Sequence, residues 1–239
     1  MAVSIDSVYQ KVLAFANKEQ RGYITPQEFK LFADQAQLEI FEQYFYDINQ
    51  FKRGPRNASM RHDVVNILKE KTQIFNVNSI FVTHGSIISS DTYQVGDCWA
   101  TSTGDPSDGT ARQVEQVDLE DVVISQSGPL IRATNNRPIF YVHHDQVYFQ
   151  PQSIPNWTYR LNTIRRPKLP NWTYLLGNNQ NALFNPDISA GWQDFELHKS
   201  EESKLVIKIL QLAGVSMKDY NLTQLAAQKE TSVIQQEKL

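Results

Sequence analysis

The residues best equipped for chemistry are few and scattered. His143-His144-Asp145 places two imidazoles and a carboxylate in three positions, the local makings of a metal site. They lie between Ile139-Phe140-Tyr141-Val142 and Val147-Tyr148-Phe149-Gln150, two β-rich runs around a short polar turn. Adjacent strand residues point to opposite faces, so successive histidines on a continuing strand cannot aim at one ion. His62, His84 and His198 stand far apart, and neither an HExxH pattern nor a zinc-type spacing occurs. The run therefore reads as a polar hairpin turn, with no metal and no cofactor expected.

Nucleophilic chemistry is no better supplied. Cys98 sits in Gly96-Asp97-Cys98-Trp99-Ala100, a strand-like setting with no basic neighbour to stabilise a thiolate, and reads as a buried thiol. No GxSxG elbow and no phosphate-binding glycine loop occurs. Asp118, Glu120 and Asp121 cluster, as a solvated acidic loop would. Arg165-Arg166-Pro167-Lys168 is the one compact basic run, suited to an anion or to a solvated strand end. No catalytic residue is assigned.

The elements that position these residues read as helix, strands, helix. Ile5, Val8, Val12 and Phe15 mark one apolar face over about 4–18, with Ser4 as N-cap and Arg21-Gly22 as the stop. Thr25-Pro26-Gln27-Glu28 is a capping box with Pro at the first helical position, and Ile24 and Phe29 fit a hydrophobic staple. The helix it starts runs to about Phe51, roughly 40 Å at 1.5 Å per residue. Its apolar stripe, which includes Phe29, Ala33, Ile40, Phe41 and Tyr44, is wider than one partner helix requires. A shorter helix is expected over 60–74. From Val77 β-branched and aromatic residues dominate, with short strands at 80–82, 87–88 and 122–124, the hairpin at 139–150 and a strand at 159–164. The chain is loop-rich from 167 to 194. A helix then follows with Ser200 as N-cap, Leu205, Val206, Ile209, Leu210 and Ala213 on its buried face, and Gly214 at its end. A last helix is expected from Asn221 into a polar tail. Pro-Asn-Trp-Thr-Tyr occurs at 155–159 and again at 170–174, which reads as two similar turn-to-strand entries.

These elements make an α+β chain, with N- and C-terminal helices forming a helical bundle and an antiparallel β-domain between them. The expected division is 1–75 for the first helices, 76–195 for the β-rich domain and 196–239 for the closing helices and tail. The helix from Thr25 is expected to pack on the helix from Glu201, since both carry wide apolar faces.

Composition narrows the class further. A chain of 239 residues can bury a core without staples, and one cysteine excludes a disulfide-built scaffold. The formal charge of −3 argues against a dedicated nucleic-acid binder. The first residues show neither a basic region nor a long apolar run, so no signal peptide is expected, and no stretch is long and apolar enough for a membrane helix. The sequons at Asn57, Asn156, Asn171 and Asn221 then read as coincidence.

Three stretches carry a family resemblance. They are Val8-Tyr9-Gln10-Lys11-Val12-Leu13 through Tyr23-Ile24-Thr25-Pro26-Gln27-Glu28-Phe29 to Phe41-Glu42-Gln43-Tyr44-Phe45; Ile164-Arg165-Arg166-Pro167-Lys168 with Pro170-Asn171-Trp172; and Phe195-Glu196-Leu197-His198 with the helix after it. The chain resembles the head–tail connector, or adaptor ring, proteins of tailed bacteriophages, of the short-tailed type and the crAss-like groups. The resemblance leaves out 77–137, which reads as an insertion.

That resemblance implies a structural virion protein in the head–tail neck, made in the host bacterial cytoplasm, and not an enzyme. Such proteins assemble with copies of themselves into a ring, commonly of about twelve copies. The ring sits beneath the portal protein, extends the DNA channel and receives the next tail ring. DNA would pass without specific binding, and a mildly acidic subunit suits that, because a basic lumen would grip phosphates. The family's C-terminal segment often reaches the portal, which here points to Gln228, Gln235, Gln236 and Leu239. Arg165 and Arg166 in the basic run, and the loop tryptophans Trp157 and Trp172 (with Trp192), are interface candidates, since Trp and Arg are enriched at hot spots. Another neck or tail ring component is the second reading, and a metal-dependent or nucleotide-handling enzyme a distant third.

Overall fold

A computed structural model of the chain describes residues 2–18, 24–53, 63–102, 111–128, 132–152, 157–177, 182–216, 228–229 and 231–232. Its helices are α1 (Ile5–Lys18), α2 (Pro26–Arg53), α3 (Asp63–Gln73), α4 (Leu119–Ser127) and α5 (Glu202–Ser216). Its strands are β1 (Asn76–Val82), β2 (Ser86–Ile87), β3 (Thr92–Ser102), β4 (Ala111–Gln116), β5 (Ile139–His143), β6 (Gln146–Gln150), β7 (Trp157–Arg165), β8 (Tyr174–Leu176) and β9 (Ala182–Phe184). The chain is α+β, and helices at both ends bracket the large sheet in sequence. It divides into a helical unit, 1–74 with 167–239, and a sheet unit, 75–166.

In the helical unit α5 packs on α1 and α2, and α3 packs on α2. The pairing of the helix from Thr25 with the C-terminal helix is therefore present. The start of α2 is the capping box its residues spell out. Thr25 N–H donates to Glu28 Oε2 at 2.9 Å, and Glu28 N–H donates to Thr25 Oγ1 at 3.3 Å. Both staple residues, Ile24 and Phe29, are buried. Along α2 the buried face is Phe29, Ala33, Ala36, Ile40, Phe41 and Tyr44. On α1 the buried face is Ile5, Val8, Tyr9, Val12 and Ala16, and Phe15 turns out to solvent. Ser4 does precede the helix, but Asp194 reaches back to accept the Ile5 N–H at 2.8 Å. An orphan donor of the first turn is thus satisfied from far along the chain.

Two C-terminal expectations change. His198, not Ser200, is the capping residue: its Nδ1 accepts from the Ser200 N–H at 3.3 Å and opens a 3-10 turn, Lys199–Glu201, that leads into α5. Gly214 does not end α5, which continues to Ser216 with Gly214 buried inside it. A glycine weakens a helix interior by only about 1 kcal/mol, and packing outweighs that. The expected last helix falls mostly outside the described residues; 228–229 and 231–232 are helical.

The loop-rich stretch 167–195 belongs with the helices rather than with the β-rich domain assigned to it from sequence. Buried Gln37 of α2 explains the attachment. Its Nε2 donates to the Lys168 carbonyl at 2.8 Å, and its Oε1 accepts from the Glu196 N–H at 3.1 Å. Val3 and Phe195 add an antiparallel bridge.

Among the described residues the sheet unit has seven strands in the order β1-β7-β3-β4-β5-β6-β2. Every pairing is antiparallel except β4 with β5, which is parallel. The reason is α4. A parallel pair needs a crossover, and α4 supplies it between β4 and β5. The run Val122-Val123-Ile124, expected as a strand, is part of that helix. Its β-branched residues are overruled by Asp118 at the N-cap position and by Glu120 and Asp121 in the first turn, which suit the positive end of the helix dipole. Cys98, Ala100, Val114, Phe140, Val147, Phe149, Tyr159 and Leu161 form the core of this unit. Phe149 and Tyr159 stack at 3.9 Å although β6 and β7 are not neighbours, so the sheet rolls over its own inner face.

Candidate interaction surfaces

The histidine pair sits where the hairpin turns. β5 ends at His143 and β6 starts at Gln146, leaving His144 and Asp145 as a two-residue loop. Both have positive φ, 46° and 58°, the conformation of a tight hairpin turn. The hairpin is as expected, but the argument from opposite faces does not apply, because the strand stops at His143. The two rings meet edge to face, and His144 Nδ1 lies 2.6 Å from His143 Nε2. Of these two nitrogens one donates and the other accepts, the roles being set by the tautomers. Among the described residues no three His, Cys, Asp or Glu side chains gather as a metal site would require.

Cys98 is buried in β3, and burial pushes its thiol up to about 12. A thiol held protonated is a poor nucleophile. The acidic cluster borders a pocket between α4 and the β4–β5 pair, lined by Asp118, Asp121, Ile124, Ser125, Arg137 and Ile139. Arg137 is committed to Glu115, with Nη2 at 2.7 Å and Nε at 3.1 Å from the same oxygen.

The candidate interface residues do not converge on one place. Trp172 is only 4% exposed and is a core residue, which corrects its reading as a surface anchor. Its ring lies 4.3 Å from Tyr9, and its indole N–H donates to Asp6 Oδ1 at 3.1 Å. The loop that carries Trp172 is folded back onto α1, and a large aromatic there excludes water from the helix. Trp157 begins β7, half-buried, with the Arg112 guanidinium 4.6 Å above its ring. The two copies of Pro-Asn-Trp-Thr-Tyr do both lead into strands, β7 and β8, yet their tryptophans have different surroundings. Trp192 is half-buried, edge-on to Phe184. Arg165 closes β7, where its N–H donates to the Phe75 carbonyl at 2.9 Å, and Arg166 is exposed. Gln228 is exposed, while Gln235, Gln236 and Leu239 lie outside the described residues.

Two surfaces emerge that the sequence did not single out. The first is the β8–β9 hairpin of the helical unit. Trp172 stacks on Tyr174 and Phe184 at 5.7 and 6.0 Å, and the Thr173 hydroxyl donates to the Asn185 carbonyl at 2.6 Å, so the base is pinned. Beyond that base Leu175, Leu176 and Leu183 are 61%, 72% and 59% exposed. Leu175 and Leu176 are adjacent on a strand, so both faces of the ribbon are apolar.

The second lies on the outer face of the sheet. Register places Phe81 of β1 and Trp99 of β3 on either side of Arg160 of β7. Cross-strand partners project to the same side, so the three form one row. Phe81 is 69% exposed and Trp99 37%. The Arg160 guanidinium lies 4.9 Å from the Phe81 ring centre, and its Nε has no hydrogen-bond partner. The strands that hold Phe81 and Arg160 were legible from sequence; which residues share a row depends on register, which no local pattern encodes. The phase of Trp99 against buried Cys98 and Ala100 was the one available signal.

No described helix is long and apolar enough to cross a membrane. Neither a protein-family model nor a curated protein sequence matches this chain.

Proposed function

We propose that this chain is a structural, ring-forming head–tail adaptor of a tailed-bacteriophage virion, joining portal to tail and extending the DNA channel. The observation that carries the reading is the β8–β9 hairpin. A free two-stranded ribbon is marginal in water, and one with apolar side chains on both faces gains its stability by entering a neighbour. Its aromatic base holds it in place, and three exposed leucines are offered outward. The family resemblance supplies the neighbour, another protein of the virion neck. The same resemblance assigns the residues after Gln228 to the portal.

The test is assembly. Full-length protein is expected to form closed rings with a central channel in negative-stain images and to co-sediment with portal-bearing capsids. Deletion of 229–239 is expected to leave the melting temperature almost unchanged and to abolish capsid attachment. Protein that stays monomeric and ignores such capsids would remove the adaptor reading. Attachment only to capsids that already carry an adaptor would make it the next ring in the stack.

A further inference from the structure

We infer that the Phe81–Arg160–Trp99 row is the docking site for helix α4 of a second copy of this chain, with Glu120 as the counter-ion of Arg160. This rests on the ring reading, for which it names the subunit contact.

The row presents a cation between two aromatic side chains on an open sheet face. Among the described residues no carboxylate pairs with Arg160. A guanidinium left without a counter-ion beside exposed aromatic surface fits a carboxylate carried on apolar surface. Nucleic acid is the weaker fit, because a strand needs several cations along its backbone and the row has one.

The same unit displays the complementary pattern. α4 buries Val122 and Ser125 and turns its opposite side to solvent. The exposed part of the helix carries Leu119, Val123 and Ile124, with Glu120 three and four residues before Val123 and Ile124 and so beside them on the surface. Among the described residues no cation pairs with Glu120. An exposed carboxylate set beside apolar side chains on α4 is therefore complementary to an aromatic–cation–aromatic row. The carboxylate sits on a helix packed against β5, and the row spans β1, β7 and β3, so one copy uses its helix and the next uses its sheet. Such a head-to-tail contact repeats from copy to copy and closes into a ring when its rotation closes.

The experiment measures self-association of the full chain by sedimentation velocity over a concentration series. Arg160→Glu and Glu120→Arg are each expected to weaken association at least about tenfold, because like charges then meet at the contact. Glu120 is exposed and Arg160 half-buried, and matched circular-dichroism melts check that each variant folds. A 1:1 mixture of the two variants is expected to regain wild-type association, since every contact in an alternating assembly is again oppositely charged. Wild-type protein that assembles while both variants assemble equally well overturns the contact and leaves the ring reading standing. Association lost in Arg160→Glu but not in Glu120→Arg overturns α4 as the occupant. Charge-dependent association that stops at a dimer supports the contact and removes the ring reading. A wild-type chain that stays monomeric throughout overturns the contact.

Discussion

Lys71 and Glu201 form a buried ion pair that ties α3 to the entry of α5. The glutamate is 1% exposed, and the lysine also lies 5.9 Å from the Tyr44 ring centre on α2. One charge pair thus joins three helical segments far apart in sequence. Breaking such a pair from one side leaves an uncompensated charge in the interior, which costs about 3–5 kcal/mol. Glu201→Gln is expected to lose that much in urea denaturation. The double variant Lys71→Met, Glu201→Leu is expected to recover most of it, because apolar replacements of both partners remove the desolvation cost.

Trp172→Ala is expected to destabilise the helical unit by about 3–5 kcal/mol, as aromatic core truncations do. Its ring fills the space against Tyr9 and its N–H reaches Asp6. Trp157→Ala, at a half-buried position, is expected to cost less. A thermal melt of both variants gives the ranking, and equal losses would contradict it.

Phe41 is fully buried on α2 and meets Phe45 edge-on at 4.9 Å. Phe41→Ala is expected to cost about 3–5 kcal/mol. A loss below about 1 kcal/mol in a denaturant melt would show that the site collapses around the cavity.

Glu28 links stability to pH. Hydrogen bonds from the Thr25 backbone and then its hydroxyl hold the Glu28 carboxyl below its usual value. A carboxylate with a depressed folded-state pKa contributes stability above the unfolded value and loses it as pH falls through the folded one. Glu28→Gln is therefore expected to be less stable than wild type at pH 7. The gap should close as the solution is acidified below the ordinary glutamate range. A gap that persists at pH 2 would mean the side chain acts through packing.

Cys98 is expected to resist a thiol reagent such as Ellman's at pH 8 in the folded state and to react fully once denatured. Its thiol is pushed up to about 12 by burial in the β3 core. Rapid modification of the native protein would show that β3 opens.

Short-range patterns carried much of this architecture. The capping box at Thr25, the stripe on α2, the buried face of α5 and the hairpin around His144 are each local, because a helix cap, a 3.6-residue period and a tight turn involve residues only a few positions apart. What they left undetermined depends on partners distant in the chain. Val122-Val123-Ile124 has the composition of a strand, and the parallel pairing of β4 with β5, which requires a crossover, joins the acidic first turn in making it a helix. Trp157 and Trp172 share a motif, and only the fold buries one against Tyr9 while the other takes Arg112. Residues 167–195 look like part of a β-rich domain until Gln37 bonds both of its amide ends to them. The row Phe81–Arg160–Trp99 exists only because three strands settle in one register. Local sequence sets which way a side chain can point along its own element; register, packing and desolvation, which act between elements, decide what it meets there.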